Sequence, residues 1–567
     1  MSALRGNDDG DAGIVPPSTG DSSPNPYDQY AGRWIALLGT QIIAQGGTPQ
    51  QAFISAKASR FKETPHIIYV PTSTPLVFPP VLEQVRASLP AETPIYLVGG
   101  AVRDALLGRP THDLDFVLPA DSLKIARCVA DKLAAAYYPL DEGRQYGRVV
   151  LSSETGERMV LDFTVYQGYT LESDLRARDF TINAMAVDVH QPQNLFDPLG
   201  GLSDLHAKIL RDCSATALSD DPLRVLRGIR LATSFDLHIL PDTRERMRKA
   251  ARQLTHVSAE PLRDELFRIL NGPRLATALR ALDMLGALQP ILPELDALKG
   301  VEQSPPHIYD VWHHSLDVIQ KLEELLAVLA PRYDEDKSAN LFMGLVSMQL
   351  GRYREQIAGH LQTPLTADRP LRPLLFLAAL YHDIGKPQTK GIDEKGRIRF
   401  LEHERVGEKM IAERARALHL SNPEIERAAG IVCLHMRPLL LTHENQPLTR
   451  RAIYRFFHAA GATGVDVCLL SLADLMGSCG PALSQQRWAK HLEVIRKLLE
   501  AWWERPTESI SPPALLNGND LMAELGLAPG PHIGRLLEAI REAQAAGELH
   551  TREAALSLAR ELRENFG

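Results

Sequence analysis

The stretch LVGGAVRDALLGRPTHDLDFVL, residues 97–118, decides how this chain is read. An apolar run, PIYLVGG (94–100), ends in a glycine pair and passes into AVRDALLG, whose spacing predicts a helix. THDLDFVL (111–118) then reads as a strand. Side chains two apart on a strand share a face, so Asp113 and Asp115 point the same way, a few ångströms apart. Two carboxylates held that close repel unless a cation lies between them, and hard oxygen ligands near phosphates suit Mg²⁺. Gly99 and Gly100 let the backbone come close to a triphosphate and turn amides and a helix N-terminus toward it. RVVLSS (148–153) and RMVLDFTVY (158–166) also read as strands, and the second brings Asp162 as a candidate third ligand. This strand–turn–helix–strand order with a further carboxylate predicts a two-metal phosphoryl-transfer site.

Around that unit the chain has 567 residues, a soft prior for three or four domains. Hydrophobic residues make up 44% and charged residues 23%, which excludes a wholly disordered chain and a disulfide-stapled miniprotein. The net charge of -8 argues against a uniformly basic surface but leaves open a local nucleic-acid face. Five scattered cysteines fit reduced thiols and give no zinc pattern. No apolar run approaches the roughly 18 residues that span a bilayer. The opening MSALRGNDDGDAG lacks the features of a signal peptide. A cytoplasmic protein with no membrane partner is expected, and no obligate protein partner is readable.

Residues 1–33 are rich in Asp, Gly, Ser and Pro and predict a flexible acidic tail. An extension of unknown role follows over 34–90, with helical periodicity from Trp34 to Phe61 broken at Gly46 and Gly47, and a short strand HIIYV (66–70). Beyond Asp220 the pattern is amphipathic helix almost to the end, with a helix start at Ser258, Glu260 and Pro261.

The motifs resemble those of the class II tRNA nucleotidyltransferases (CCA-adding enzymes) and the bacterial poly(A) polymerases, from about residue 94 to the C-terminus. Gly99, Gly100, Arg103, Asp104, Asp113 and Asp115 match the family's catalytic motif. DLRARDFTINAMAVD (174–188) is similar to the second motif, which implies that Arg178 and Asp179 contact the ribose and that Asn183 helps hold the nucleotide. Ala177 stands where the family has a first arginine. DPLGGLSDLHAKILR (197–211) matches the third motif. DDPLRVLRGIR (220–230) resembles the nucleotide-selecting motif, with Asp220 in place of glutamate and with Asp221 and Arg224 matching. Three residues apart on a helix, those two would share a face. A carboxylate acceptor beside a guanidinium donor complements the Watson–Crick edges of cytosine and adenine and opposes those of uracil and guanine. Arg227 follows one turn later as a further nucleotide-site candidate. From Asp220 to Asp283 twelve Lys and Arg face nine Asp and Glu, which predicts a basic wall for RNA phosphates. LLNGNDLMAELGLAPGPHIGRLLEAIREAQAAGELHTREAAL (515–556) is similar to the ends of longer family members, and Pro531 would open a helix whose amides could bind a phosphate.

VWHHSL (311–316), LYHDIGK (380–386), FLEHERVGEKM (400–410), VCLHMRP (432–438) and LLSLADLMG (469–477) resemble the HD phosphohydrolases. The resemblance implies metal ligands at His314, His382, Asp383 and Asp474, with His403 and His435 as the further histidines of two-metal members. Imidazole with carboxylate suits Mn²⁺, Fe²⁺, Co²⁺ or Ni²⁺.

The expected fold class is α+β: a small mixed nucleotidyltransferase head with a β-sheet over 91–200, then an all-helical neck (201–295), an HD domain (296–480) and a helical C-terminal RNA-binding region (481–567). The expected activity is addition of C, C and A to the 3′ end of tRNA from CTP and ATP without a template, with Mg²⁺ in the head and a second, phosphohydrolase activity in the HD domain. The alternatives are an A-adding or CC-adding enzyme, a poly(A) polymerase, or an HD phosphohydrolase with a non-catalytic RNA-binding head.

Overall fold

The computed structural model describes residues 13–14, 27–59, 62–72, 75–152, 158–332, 340–366, 369–443 and 447–566. Most of the expected flexible tail, 1–12 and 15–26, lies outside the described residues. The chain divides into two compact units, Met1–Gln253 and Leu254–Gly567, so the boundary falls inside the stretch expected to form the neck.

In the first unit, β1 (Gly13–Ile14), β2 (Arg33–Leu38), β3 (Gln41–Gly46) and β4 (His66–Val70) form one sheet in the order β1-β4-β2-β3. The helix expected from Trp34 onward is corrected: β2 and β3 are a hairpin through Gly39 and Thr40, and the helix begins only at Pro49. Trp34, Ile35, Ala36 and Leu37 are all buried. A strand covered on both faces loses the alternation that separates a period of 2 from one of 3.6. The strand expected over 66–70 is present as β4.

This extension packs on the head. The Trp34 indole N–H donates to the Leu195 carbonyl at 3.2 Å, and Asp197 N–H donates to the Gly47 carbonyl at 2.8 Å. A Cβ on Gly47 would lie 1.4 Å from the Asp197 carbonyl oxygen, so only glycine allows this approach.

The head sheet contains β5 (Tyr96–Val98), β6 (Asp113–Leu118), β7 (Ala136–Asp141), β8 (Tyr146–Ser152), β9 (Arg158–Val165), β10 (Ala186–Asp188) and β11 (Gln191–Phe196), in the order β11-β10-β5-β6-β9-β8-β7. Only β6 and β9 run parallel. Leu114, Phe116, Leu161 and Phe163 are buried, and the Phe116 and Phe163 rings stack with centroids 4.8 Å apart. Each of these side chains contributes roughly 2–3 kcal/mol by leaving water. That burial fixes the register, and it turns Asp113 and Asp115 to the opposite face.

Among its described residues the second unit is helical apart from two small antiparallel pairs, Pro364–Thr366 with Arg369–Pro370 and Lys390–Ile392 with Ile398–Phe400. The expected helix start is present: Ala259–Asn271 follows Ser258. Thr463–Cys479 is apolar and buried along its length, a core helix that carries Asp474. At the C-terminal end, Gly518–Leu525, Pro531–Ala545 and Arg552–Phe566 share a core of Leu521, Leu536, Ile540, Ala555 and Ala559.

Candidate functional site

Strand register builds the head site. β6 pairs Asp115 with Asp162 of β9, and β9 pairs Asp162 with Arg148 of β8. Register partners share a face, so Asp115, Asp162 and Arg148 form a row across the sheet, with Asp113 two residues along β6. Among the described residues no donor hydrogen-bonds either Asp113 or Asp115 through its carboxylate. Loss of hydration in this recess, with the charges of Asp162 and Asp113, pushes Asp115 up to about 6 against the pull of Arg178. Asp162 differs. Arg148 Nε donates to its Oδ1 at 2.8 Å, Arg148 Nη2 to its Oδ2 at 2.9 Å, and the Tyr146 hydroxyl to Oδ2 at 2.8 Å.

Gly99 sits between strand and helix with φ +75° and ψ -135°, a conformation open essentially to glycine alone. A Cβ there would lie 3.2 Å from Arg178 Nη1 and 3.4 Å from Asp115 Oδ2. The bare backbone of Gly99, the guanidinium of Arg178 and the carboxylate of Asp115 therefore meet at one point. Arg178 is aimed there by Asp174, whose Oδ2 accepts from its Nε at 3.1 Å.

Asp179, Asn183 and Arg103 form a layer beneath. Asp179 is buried, and its Oδ1 accepts from the Phe180 amide at 2.7 Å and the Asn183 side-chain amide at 3.2 Å. Its Oδ2 accepts from Arg227 Nη1 at 3.2 Å. Burial alone would raise this carboxyl, but Arg227 and the donated hydrogen bonds hold it below its ordinary value. Arg103 donates to Asn183 Oδ1 and Asp104, and its guanidinium lies 4.3 Å from the centre of the Phe235 ring. Both Asp179 oxygens therefore brace the layer next to Arg178.

Asp221 lies in the joint between the helices Ala217–Asp220 and Arg224–Phe235, not on a helix face as its spacing suggested. Its Oδ1 accepts from the Leu223 amide at 3.1 Å, and its Oδ2 stands 3.6 Å from Arg224 Nε. Arg224 Nη1 donates to the carbonyls of Arg178 and Ala217, both at 3.1 Å, while its buried Nε has no hydrogen-bond partner. Much of the expected basic wall is committed internally: Arg227 pairs with Asp179, Arg246 with Asp212, Arg248 with Glu245 and Arg268 with Glu265.

The second unit brings all six expected HD residues together, buried, in two groups: His314, His382 and Asp474, and Asp383, His403 and His435. His314 and His382 face each other through Nε2 atoms 3.3 Å apart, and His403 and His435 do the same at 3.3 Å. The Nδ1 atoms of His382, His403 and His435 lie 2.7–2.8 Å from the carbonyls of Ala379, Phe400 and Val432. A carbonyl only accepts, so each Nδ1 carries the proton and each Nε2 presents a lone pair. Asp383 spans both groups: Oδ2 lies 3.2 Å from His382 Nε2, and Oδ1 lies 3.3 Å from His403 Nε2. Three such lone pairs gathered with His314 and Asp474 around one bridging carboxylate form a donor set suited to divalent metal ions. Burial, then the neighbouring His382 and His403, pushes His435 down to about 3.

Sequence reading missed Lys386, whose Nζ is 2.6 Å from Asp383 Oδ2 and donates to Gln303 Oε1 at 2.6 Å. Its signal was its place three residues after the aspartate in HDIGK. Arg148 and Tyr146 were also missed as site residues, although both stand in the strand segment QYGRVVL (145–151) that resembles the family's.

The chain matches known proteins over most of its length. Residues 95–211 match the family model of the poly A polymerase head domain, 311–474 that of the HD domain, and 481–559 that of tRNA nucleotidyltransferase domain 2. Residues 27–73, which form most of the extension, match a family of unknown function. The chain is 34% identical over 461 residues to the A-adding tRNA nucleotidyltransferase of Deinococcus radiodurans, covering 80% of this chain and 92% of the relative. It is 34% identical over 471 residues to the CC-adding tRNA nucleotidyltransferase of Thermus thermophilus, covering 81% and 91%. A solved CCA-adding enzyme in complex with ATP shares the fold at a TM-score of 0.55 and 20% identity, over 87% of this chain and 97% of that one. With its head motifs, its HD domain and relatives matched over nine-tenths of their length, the chain belongs to the tRNA nucleotidyltransferase family.

Proposed function

We propose that this enzyme adds C, C and A, or part of that set, to the 3′ end of tRNA from CTP and ATP without a nucleic-acid template. The observation that carries the reading is the meeting of Gly99, Arg178 and the carboxylate pair Asp113 and Asp115 on one face of the head sheet. In the reaction the RNA 3′-hydroxyl attacks the α-phosphate of the nucleotide and pyrophosphate leaves. Asp113 and Asp115 would hold Mg²⁺, which when bound offsets phosphate charge and favours the ionised hydroxyl. Arg178 supplies a fixed cation for the triphosphate, and the open backbone at Gly99 and Gly100 lets it approach. Asp221 and Arg224 read the base edge. Arg103, Asp179, Asn183 and Arg227 hold that arrangement still.

The test is incubation with tRNA ending at the discriminator base, offering each labelled nucleotide alone and then CTP with ATP. Incorporation of C from CTP, followed by A only when ATP is present, is the expected result. Absence of incorporation from either nucleotide on this tRNA, and of A on tRNA already ending in CC, refutes the reading. The relatives named for partial activities favour one second reading, addition of A alone or of CC alone. A-only addition on tRNA ending in CC, or arrest after CC, would establish it.

The HD centre supports a separate metal-dependent hydrolysis, with phosphate or cyclic-phosphate ends of RNA as the proposed substrates and Mn²⁺, Fe²⁺, Co²⁺ or Ni²⁺ as the proposed metals. The segment 481–567 is proposed to bind RNA, with the helix Pro531–Ala545 opening toward phosphate at Gly530. Five free cysteines agree with a cytoplasmic setting.

A further inference from the structure

The head holds three carboxylates close together but treats one of them differently. Asp162 is the register partner of Asp115, so its carboxylate starts from a strand only about 4.8 Å away on the same face. From there it could serve as a third ligand to a cation held by Asp113 and Asp115. It instead accepts both arms of Arg148 and the hydroxyl of Tyr146, and Arg148 Nη2 also donates to that hydroxyl at 3.1 Å. The fork is bidentate, a geometry that fixes orientation as well as charge. Asp162 is only 15% exposed, so little solvent competes for its oxygens.

From this geometry we infer that Arg148, with Tyr146, is a positioning pair that withholds Asp162 from the head metal and leaves a two-carboxylate centre. This rests on the reading of Asp113 and Asp115 as metal ligands. The consequence is chemical. A cation held by three carboxylates would have much of its charge satisfied before any nucleotide arrived. One held by two retains charge and coordination positions for phosphate oxygens and for the RNA 3′-oxygen. Arg148 also neutralises Asp162, which lowers the repulsion an incoming triphosphate would meet. Arg148 is therefore expected to make metal binding depend on the nucleotide.

The test is titration of the full-length protein with Mn²⁺, followed by electron paramagnetic resonance in the absence of nucleotide. Asp113→Asn first identifies which class of bound ions belongs to the head, since the HD centre contributes equally to every variant. Arg148→Leu is expected to tighten that class by about tenfold, the scale of one charged ligand gained. Asp162→Asn in the Arg148→Leu background should cancel the gain, whereas Asp162→Asn alone should leave head affinity within about twofold of wild type. Arg148→Lys, which keeps the charge without the fork, should lie between, and a thermal melt of each variant checks folding. A general structural role for Arg148 would lower stability without tightening Mn²⁺. Three results overturn the inference: unchanged or weaker head binding in Arg148→Leu, a gain that survives Asp162→Asn, or a loss in Asp162→Asn alone as large as in Asp113→Asn. If Asp113→Asn removes no class of ion, the metal-ligand reading itself fails and the inference falls with it.

Discussion

Replacing Asp221 with alanine should relax base selection while leaving the head folded. Its Oδ2 stands 3.6 Å from an Arg224 Nε that has no hydrogen-bond partner, so the pair offers an acceptor beside a spare donor. Cytosine and adenine present the complementary order, an amino donor beside a ring-nitrogen acceptor, and uracil and guanine present the reverse. Without the carboxylate, Arg224 would remain pinned by the carbonyls of Arg178 and Ala217 and, on the proposed reading, would meet the base alone. A guanidinium also suits the carbonyl of uracil or guanine, so the unfavourable contact that rejected them is gone. Each hydrogen bond lost or mismatched at a charged group is worth roughly 1.5–3 kcal/mol, a ten- to hundredfold change in selectivity. The structural cost is small, because the Asp221 side chain is 42% exposed and its Oδ1 accepts a single amide, worth about 1 kcal/mol. The assay is kcat/KM for all four nucleotides on tRNA lacking its last residues, for wild type and Asp221→Ala. An equal loss for every nucleotide, with the C and A preference intact, would refute selection by this pair.

Other outcomes follow from the same geometry. Gly99→Ala places a methyl between Arg178 and Asp115 at a φ of +75°, so we expect a stability loss of about 1–3 kcal/mol in a thermal melt and a larger fall in kcat/KM than in tRNA affinity. The double variant His382→Ala with Asp383→Ala should lose metal-dependent phosphohydrolysis and keep nucleotide addition, measured side by side on one preparation; loss of both in a folded protein would break the partition of the two chemistries. Glu424, buried, caps its helix at Ser421 and takes both arms of Arg369, which hold its carboxyl below its ordinary value of about 4.5 despite burial. Its contribution is complete above that value and fades as pH falls through the lower folded value. Glu424→Gln should therefore cost on the order of 3 kcal/mol at neutral pH in denaturant unfolding and less below pH 4; a cost that does not shrink with acid would refute the linkage.

The legible parts of this chain were those whose chemistry is local in sequence. Asp113 and Asp115 alternate with buried Leu114 and Phe116, so strand period and ligand spacing coincide and one short window reveals both. The HD residues were readable by order, because each sits in its own short motif. Their division into two groups bridged by Asp383 was not, since it depends on five helices converging. The hairpin at Trp34 was misread because burial on both faces erases the period of 2, leaving Gly39 and Thr40 as the only punctuation. Asp221 was placed on a helix because its three-residue spacing to Arg224 fits one, although the chain turns between two helices there. As a site residue Arg148 was invisible for a different reason. Its pairing with Asp162 arises from the register of β8 on β9, and the consequence for Asp115 needs the second register of β9 on β6.

The central claim is that the paired carboxylates of the head carry nucleotide addition, and Asp115→Ala tests it most directly. Labelled CTP and ATP are offered to wild type and variant on tRNA ending at the discriminator base and on tRNA ending in CC, with tRNA affinity measured in parallel. Loss of a catalytic metal ligand should raise the barrier by several kcal/mol, so incorporation is expected to fall by on the order of a thousandfold or more while tRNA binding stays near wild type. Incorporation within about tenfold of wild type would contradict the account.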